Sequence, residues 1–356
     1  MRAIQRQIMR RSAKVLIAGG TLFFLIFGPA GAGRLAAQGL NIPAKTWGVS
    51  FGNSKTFTGL RFNFRDSQVR RITGVNVTFW RSKKNDDSEA VVKGLSLGVA
   101  PGGGRLFGIQ LGLLGAGADH SMKGLNIGGL GVGAGEDLIG LSFGGLGAGA
   151  GDNVKGIVVG GLGAGAGEGL KGIAIGGLGA GAGEDVRGIV IGGLGAGCGE
   201  TFKGILAGGL GAGAGDDLKG LAFGGLAVGC GGTLGGIAVA GVGVGAGESI
   251  DGLVVCGVGA GAPRIRGLAV CGFGVGGKDL QGAFLALGTV HVVEGGRLTG
   301  LAASAFNYCR GSVSGLSLGI VNYAWTIEKG LQIGIVNIVR GNPKGLRVLP
   351  VFNTRF

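Results

Sequence analysis

Histidine, proline and aromatic side chains are scarce in this 356-residue chain, which has two His, six Pro, two Tyr and 6% aromatic residues in all. Two histidines, His120 and His291, give little material for a metal site or a catalytic base, and both read as ordinary loop or coil residues. The acids form no distinctive pair, because they recur in columns along the chain. Short Gly-x-Gly strings lack the helix and the Lys-Ser/Thr of a phosphate loop, and Gly277-Lys278-Asp279 comes nearest. The calcium nonapeptide fails as well, since it needs Asp where Gly165 stands. No catalytic, metal or cofactor site is therefore expected, and the chain reads as non-enzymatic. The shortage of proline, with no Gly-X-Y triplet, excludes collagen. The lack of a repeated outward threonine argues against an ice-binding face.

Glycine is what the chain has in excess: 89 residues, one in four. Mean hydropathy is positive, which rules out a solvated disordered segment and leaves a repeat. Gly124, Gly140, Gly156, Gly172, Gly188, Gly204, Gly220, Gly236 and Gly252 are each 16 apart. Gly267, Gly282, Gly300, Gly315, Gly330 and Gly345 continue mostly at 15, and Gly94 and Gly108 extend the series backwards. The expected fold is all-β, a β-solenoid of about 17 coils of 15–16 residues. Its competitor is an antiparallel outer-membrane β-barrel. A barrel alternates unlike turns at its two ends, whereas the turns here are alike. Asn307, Asn322 and Asn337, spaced by 15, fit a stacked amide ladder.

Apolar residues fall in columns within the repeat. One holds Leu125, Leu141, Ile157 and Ile173, and another, two positions on, holds Ile127, Phe143, Val159 and Ile175. After a Gly-Gly pair come Leu130/Leu146/Leu162, then Val132/Ala148/Ala164, then Ala134/Ala150/Ala166, in the opposite parity. A corner at Gly-Gly would turn both sets into one core. A second corner carries an aliphatic plug at Leu138, Val154, Leu170, Val186 and Phe202. On this reading Asn126, Ser142, Val158, Ala174, Val190, Leu206 and Ala222 point outward and form a partly apolar docking strip.

Charges follow columns too, with Glu136, Asp152, Glu168, Glu184, Glu200 and Asp216 in one and Lys155, Lys171, Arg187, Lys203 and Lys219 in the next. They read as a solvated corner. Cys198 and Cys230 share a column two coils apart, about 10 Å, beyond disulfide reach. Cys256 and Cys271 each lie four positions after their opening glycine on neighbouring coils, about 5 Å apart, and are a candidate disulfide. Cys309 has no evident partner.

Residues 1–37 read as a secretory signal peptide: Arg2, Arg6, Arg10, Arg11 and Lys14 precede an apolar run over residues 15–27, with cleavage expected after Ala37. Its removal lowers the net charge from +14 to +8. Residues 38–93 form an N-terminal β-rich cap region, and 94–356 the repeat. The cap is basic around Arg61, Arg65, Arg70, Arg71, Arg81, Lys83 and Lys84, which suits a solvated face or an anionic lipid or glycan, with no nucleic-acid motif beside it.

The units Gly315-Leu-Ser-Leu-Gly-Ile-Val-Asn322 and Gly330-Leu-Gln-Ile-Gly-Ile-Val-Asn337 resemble the GLxIGLxN units of the bacterial, Leptospira-type surface-repeat family. The likeness covers the last three or four units; the central units lose the Asn and gain glycine. It implies a cell-envelope, outer-membrane or surface location, with no activity or catalytic residue to carry over. The expected role is structural or adhesive, toward an envelope component, a glycan, an anionic lipid surface or a second copy. Phe356, Phe352 and Val348, similar to a barrel's terminal strand, keep a pore as the alternative.

Overall fold

The computed structural model describes residues 39–81 and 87–355. The expected signal peptide with its expected cleavage point after Ala37, and Lys83, Lys84 and Phe356, lie outside the described residues. The described chain is all-β and coils into a β-solenoid of about 17 turns, not a barrel. The described residues fall into two compact units, divided between Ile139 and Gly140.

In the second unit a central coil consists of a seven-residue strand and a four-residue strand, such as Val154–Gly160 and Gly163–Ala166. Each pairs in parallel with its equivalent 16 residues on, Gly156 with Gly172 and Ala164 with Ala180. Backbone amides and carbonyls are thus satisfied between coils, so the stack needs no polar side chains to pair them. The opening glycines Gly140 to Gly252 kink the longer strand, with φ between +111° and +143°. A Cβ at Gly172 would overlap the carbonyl oxygen of Gly156, one coil earlier. This double demand, left-handed φ and close backbone approach, accounts for the unbroken glycine column.

The direction of the long strand is the reverse of the expected one. Val158, Ala174, Val190, Leu206 and Ala222 are fully buried, and Asn126 and Ser142 are buried as well, so the expected docking strip is a core column. The long-strand columns assigned to the core, with Leu141, Phe143, Ile175 and Ile191 among them, face outward, as does the Leu130/Leu146/Leu162 column after the Gly-Gly pair, whereas Val132, Ala148 and Ala164 are buried as expected. The reason lies in the pleat: the buried plug, Val154 in its coil, sets the alternation of the strand that follows, so Val158 turns inward and joins Ala164 and the next plug, Leu170, in the core. The expected corners and the plug column stand: Leu138, Val154, Leu170, Val186 and Phe202 are all buried.

In the first unit the opening-glycine column begins earlier than Gly94. Gly48, Gly59, Gly74 and Gly94 pair in successive parallel registers at positive φ, within the segment read as a cap. Their spacings of 11, 15 and 20 hide the repeat from sequence. The core column here is polar: Arg61, Asn76, Ser96, Gln110 and Asn126 stack on one another, all buried. Arg61 therefore belongs to the interior and not to a basic face. It donates to Asp66 at 2.6 Å, Asn76 at 2.8 Å and Asn53 at 3.1 Å.

Gln110 is different, because neither its amide nitrogen nor its oxygen has a hydrogen-bond partner. A buried unsatisfied polar group costs about 1–3 kcal/mol, whereas an unbranched thioether of similar length fills the same space. Gln110→Met is expected to raise the urea midpoint by an equivalent of about 1–3 kcal/mol at unchanged m-value. A lower midpoint would show that the amide is satisfied in solution.

The ends of the ladder are covered by strands of opposite sense. Leu40–Pro43 runs antiparallel to Trp47–Phe51, and Val348–Asn353 runs antiparallel to Val321–Val339. Val348 and Phe352, read as hints of a barrel's terminal strand, lie in this last strand, exposed on the closing coil. Covering an edge in this way blocks further strand addition. The amide ladder is present: Asn307 donates to Asn322 at 2.7 Å and Asn322 to Asn337 at 2.8 Å, each also donating to a backbone carbonyl.

Candidate functional surface

Three aliphatic columns stand outward on the second unit. The first runs through Leu141, Ile205, Ile237 and Leu268, and the second through Phe143, Ile191, Phe223, Val255 and Leu285. The third is a ridge of Leu146, Leu162, Leu178, Leu194, Leu210 and Leu226, each 49–51% exposed, continued by Val242, Val258 and Phe273. Half-exposed leucine in every coil is not scattered surface hydrophobicity. It is one continuous apolar face, the kind that soluble proteins cover.

Between the second column and the ridge runs a shallow groove floored by Gly-Gly pairs such as Gly192-Gly193 and Gly208-Gly209. The floor must be glycine, since a Cβ at Gly193 would overlap the carbonyl of Gly177. At one place the second column drops to Ala207, between Ile191 and Phe223, and opens a notch of about 470 Å³. Charged residues stay at the other corner, where Lys219 and Asp217 pair at 2.8 Å and hold the Asp217 carboxyl below its usual range. Over residues 140–299 there are nine basic and eleven acidic residues, so the coils that carry this face have no basic excess.

The residues with chemical potential are placed as follows. His120, read from sequence as an ordinary loop or coil residue, lies beside the first member of the acidic column, with Nδ1 2.6 Å from the Glu136 carboxylate. The 16-residue step of the stack brings the two together. The pair is partly exposed and makes a surface ion pair when His120 is protonated. His291 stacks on Tyr308, which stacks on Tyr323. Nearby, Glu294, Arg310 and Trp325 line a cleft of about 390 Å³, with Arg310 paired to Glu294 and Arg340 over the Trp325 ring. Among the described residues no three His, Cys, Asp or Glu side chains group in a way that could hold a metal ion.

Cys256 and Cys271 form a disulfide between adjacent coils, with Cα atoms 4.7 Å apart, in the register expected from sequence. They occupy the inward position that is glycine in most central coils, for example Gly160 and Gly176. Cys198, Cys230 and Cys309 are free thiols. Burial pushes Cys198 and Cys309 up to about 11 and raises Cys230, so all three stay protonated at neutral pH and are weak nucleophiles. No protein family, curated protein or solved structure matches the chain.

Proposed function

We propose that the chain is an exported, non-catalytic element of the bacterial cell envelope or surface, with a structural or adhesive role exercised by docking through its outward aliphatic face. The observation that carries this reading is the continuous ridge of half-exposed leucines beside a glycine-floored groove, present in coil after coil. Selection for solubility alone would replace such a row. The basic and apolar leader supports export, and the likeness of the last units to surface-repeat proteins supports the envelope. The disulfide between Cys256 and Cys271 is consistent with an oxidising compartment.

The test is fractionation of the native host cells combined with mass spectrometry of the N-terminus. The expected protein begins at Gln38, is found in the envelope fraction and is released by alkaline carbonate. A cytosolic protein that retains residues 1–37 would overturn the proposal.

A further inference from the structure

We propose that the outward aliphatic face of the second unit is a homodimer interface, in which Phe223 of each copy fills the notch above Ala207 of the other. This rests on the docking reading of the face, though not on where the protein resides.

Three observations select a second copy as the occupant. The first is area. Ten coils, opened by Gly140 through Gly282, carry the face; at about 4.8 Å per coil and about 20 Å for six strand residues, it covers roughly 950 Å². A stable dimer needs about 800 Å² from each partner.

The second observation is self-complementarity. Phe223 is the most exposed ring of its column, 42% against 38% for Phe143, and the hole at Ala207 lies one coil away in the same column. A two-fold axis along the strand direction, passing between the coils of Gly204 and Gly220, would set each knob over the other copy's hole. That axis also divides the ten coils into five and five, so the whole apolar face is covered at once. Elsewhere the columns meet as rows of branched aliphatic side chains from two sheets, the usual face-to-face packing.

The third is charge. A membrane surface rich in anionic lipid would be met by an excess of basic residues, whereas residues 140–299 carry nine basic against eleven acidic ones. Two copies meeting through this face keep those charges in water.

Sedimentation velocity on the purified protein, from below 1 to about 100 micromolar, tests the inference. The wild-type chain is expected to sediment as a dimer. Ala207→Phe, which opposes two rings, and Phe223→Ala, which opposes two cavities, should each weaken the dimer at least about tenfold with an unchanged circular dichroism spectrum. The double variant should recover most of that loss, because Phe at 207 then meets Ala at 223 across the same axis. A wild-type monomer throughout the concentration range, or a double variant no better than the single ones, would overturn the inference. So would flotation of monomeric protein with phosphatidylcholine vesicles, which would assign the face to lipid. None of these outcomes depends on cell fractionation, so failure here and failure of the envelope assignment are separable.

Discussion

Excision of residues 156–187, two whole coils, leaves a folded protein, whereas excision of residues 156–163 does not. The larger deletion joins Lys155 to Gly188 and recreates the native junction between a basic residue and an opening glycine. It sets Gly140 beside Gly188 and Val154 beside Phe202; a valine against Phe202 is already native, because Val186 is its partner one coil back. In a solenoid stability is close to a sum of coil terms and nearest-neighbour terms, so losing two coils removes two of each and leaves the rest intact. The m-value in urea should fall by about one tenth, in line with the shorter chain. The smaller deletion removes half a coil and displaces every downstream column against its neighbours, so that opening glycines no longer stack. Its expected outcome is aggregation and loss of the β spectrum. Equal behaviour of the two variants in circular dichroism and urea melts would contradict the coil-by-coil stack.

Gly204→Ala is expected to destabilise by about 3 kcal/mol or more, while Gly195→Ala, nine positions earlier, is nearly silent. Gly204 has φ +137°, and a Cβ there would overlap the carbonyl oxygen of Gly188. A left-handed backbone costs a residue with a side chain about 1–3 kcal/mol, and forcing the coils apart adds a similar amount. The overlap is with backbone, so no side chain can move to relieve it. Gly195 has no positive φ, and its added Cβ would meet no atom within 4 Å. Alanine there also restricts the unfolded chain, which offsets small losses, so a change within about 0.5 kcal/mol is expected. Thermal or urea unfolding of both variants checks the pair. A tolerated Gly204→Ala would mean that the coil spacing is looser than the structure has it.

Period was legible without coordinates because it depends only on recurrence. Gly156 to Gly252 at 16-residue steps dictated in-register parallel stacking. That stacking in turn placed Cys256 beside Cys271 and Asn307 beside Asn322 and Asn337, as observed. The pairing of His120 with Glu136 follows from the same step of 16, since Glu136 opens the acidic column one coil after His120. The coils opened by Gly48, Gly59 and Gly74 were hidden by unequal spacing.

What recurrence could not decide was which face of the long strand lies inside. Strands are oriented by a contrast between apolar and polar neighbours, and here both sets are apolar: Val158 is flanked by Ile157 and Val159. A usable signal lay in the plug. Alternation from buried Val154 through Gly156 carries Val158 and Gly160 inward, and the Gly-Gly corner comes only after them. The sequence alone therefore determined the coil, its register and its glycine corners, since backbone geometry demands them wherever the period holds. The tertiary structure alone decided which of the two apolar sets of the long strand fills the core: Val158, Leu206 and Phe284 lie inside, while Leu141, Ile175 and Phe223 face out. The physical reason is the pleat: counting from the buried plug Val154, alternate positions carry Val158 and Gly160 inward and turn Ile157 and Val159 away from the core, whatever their size.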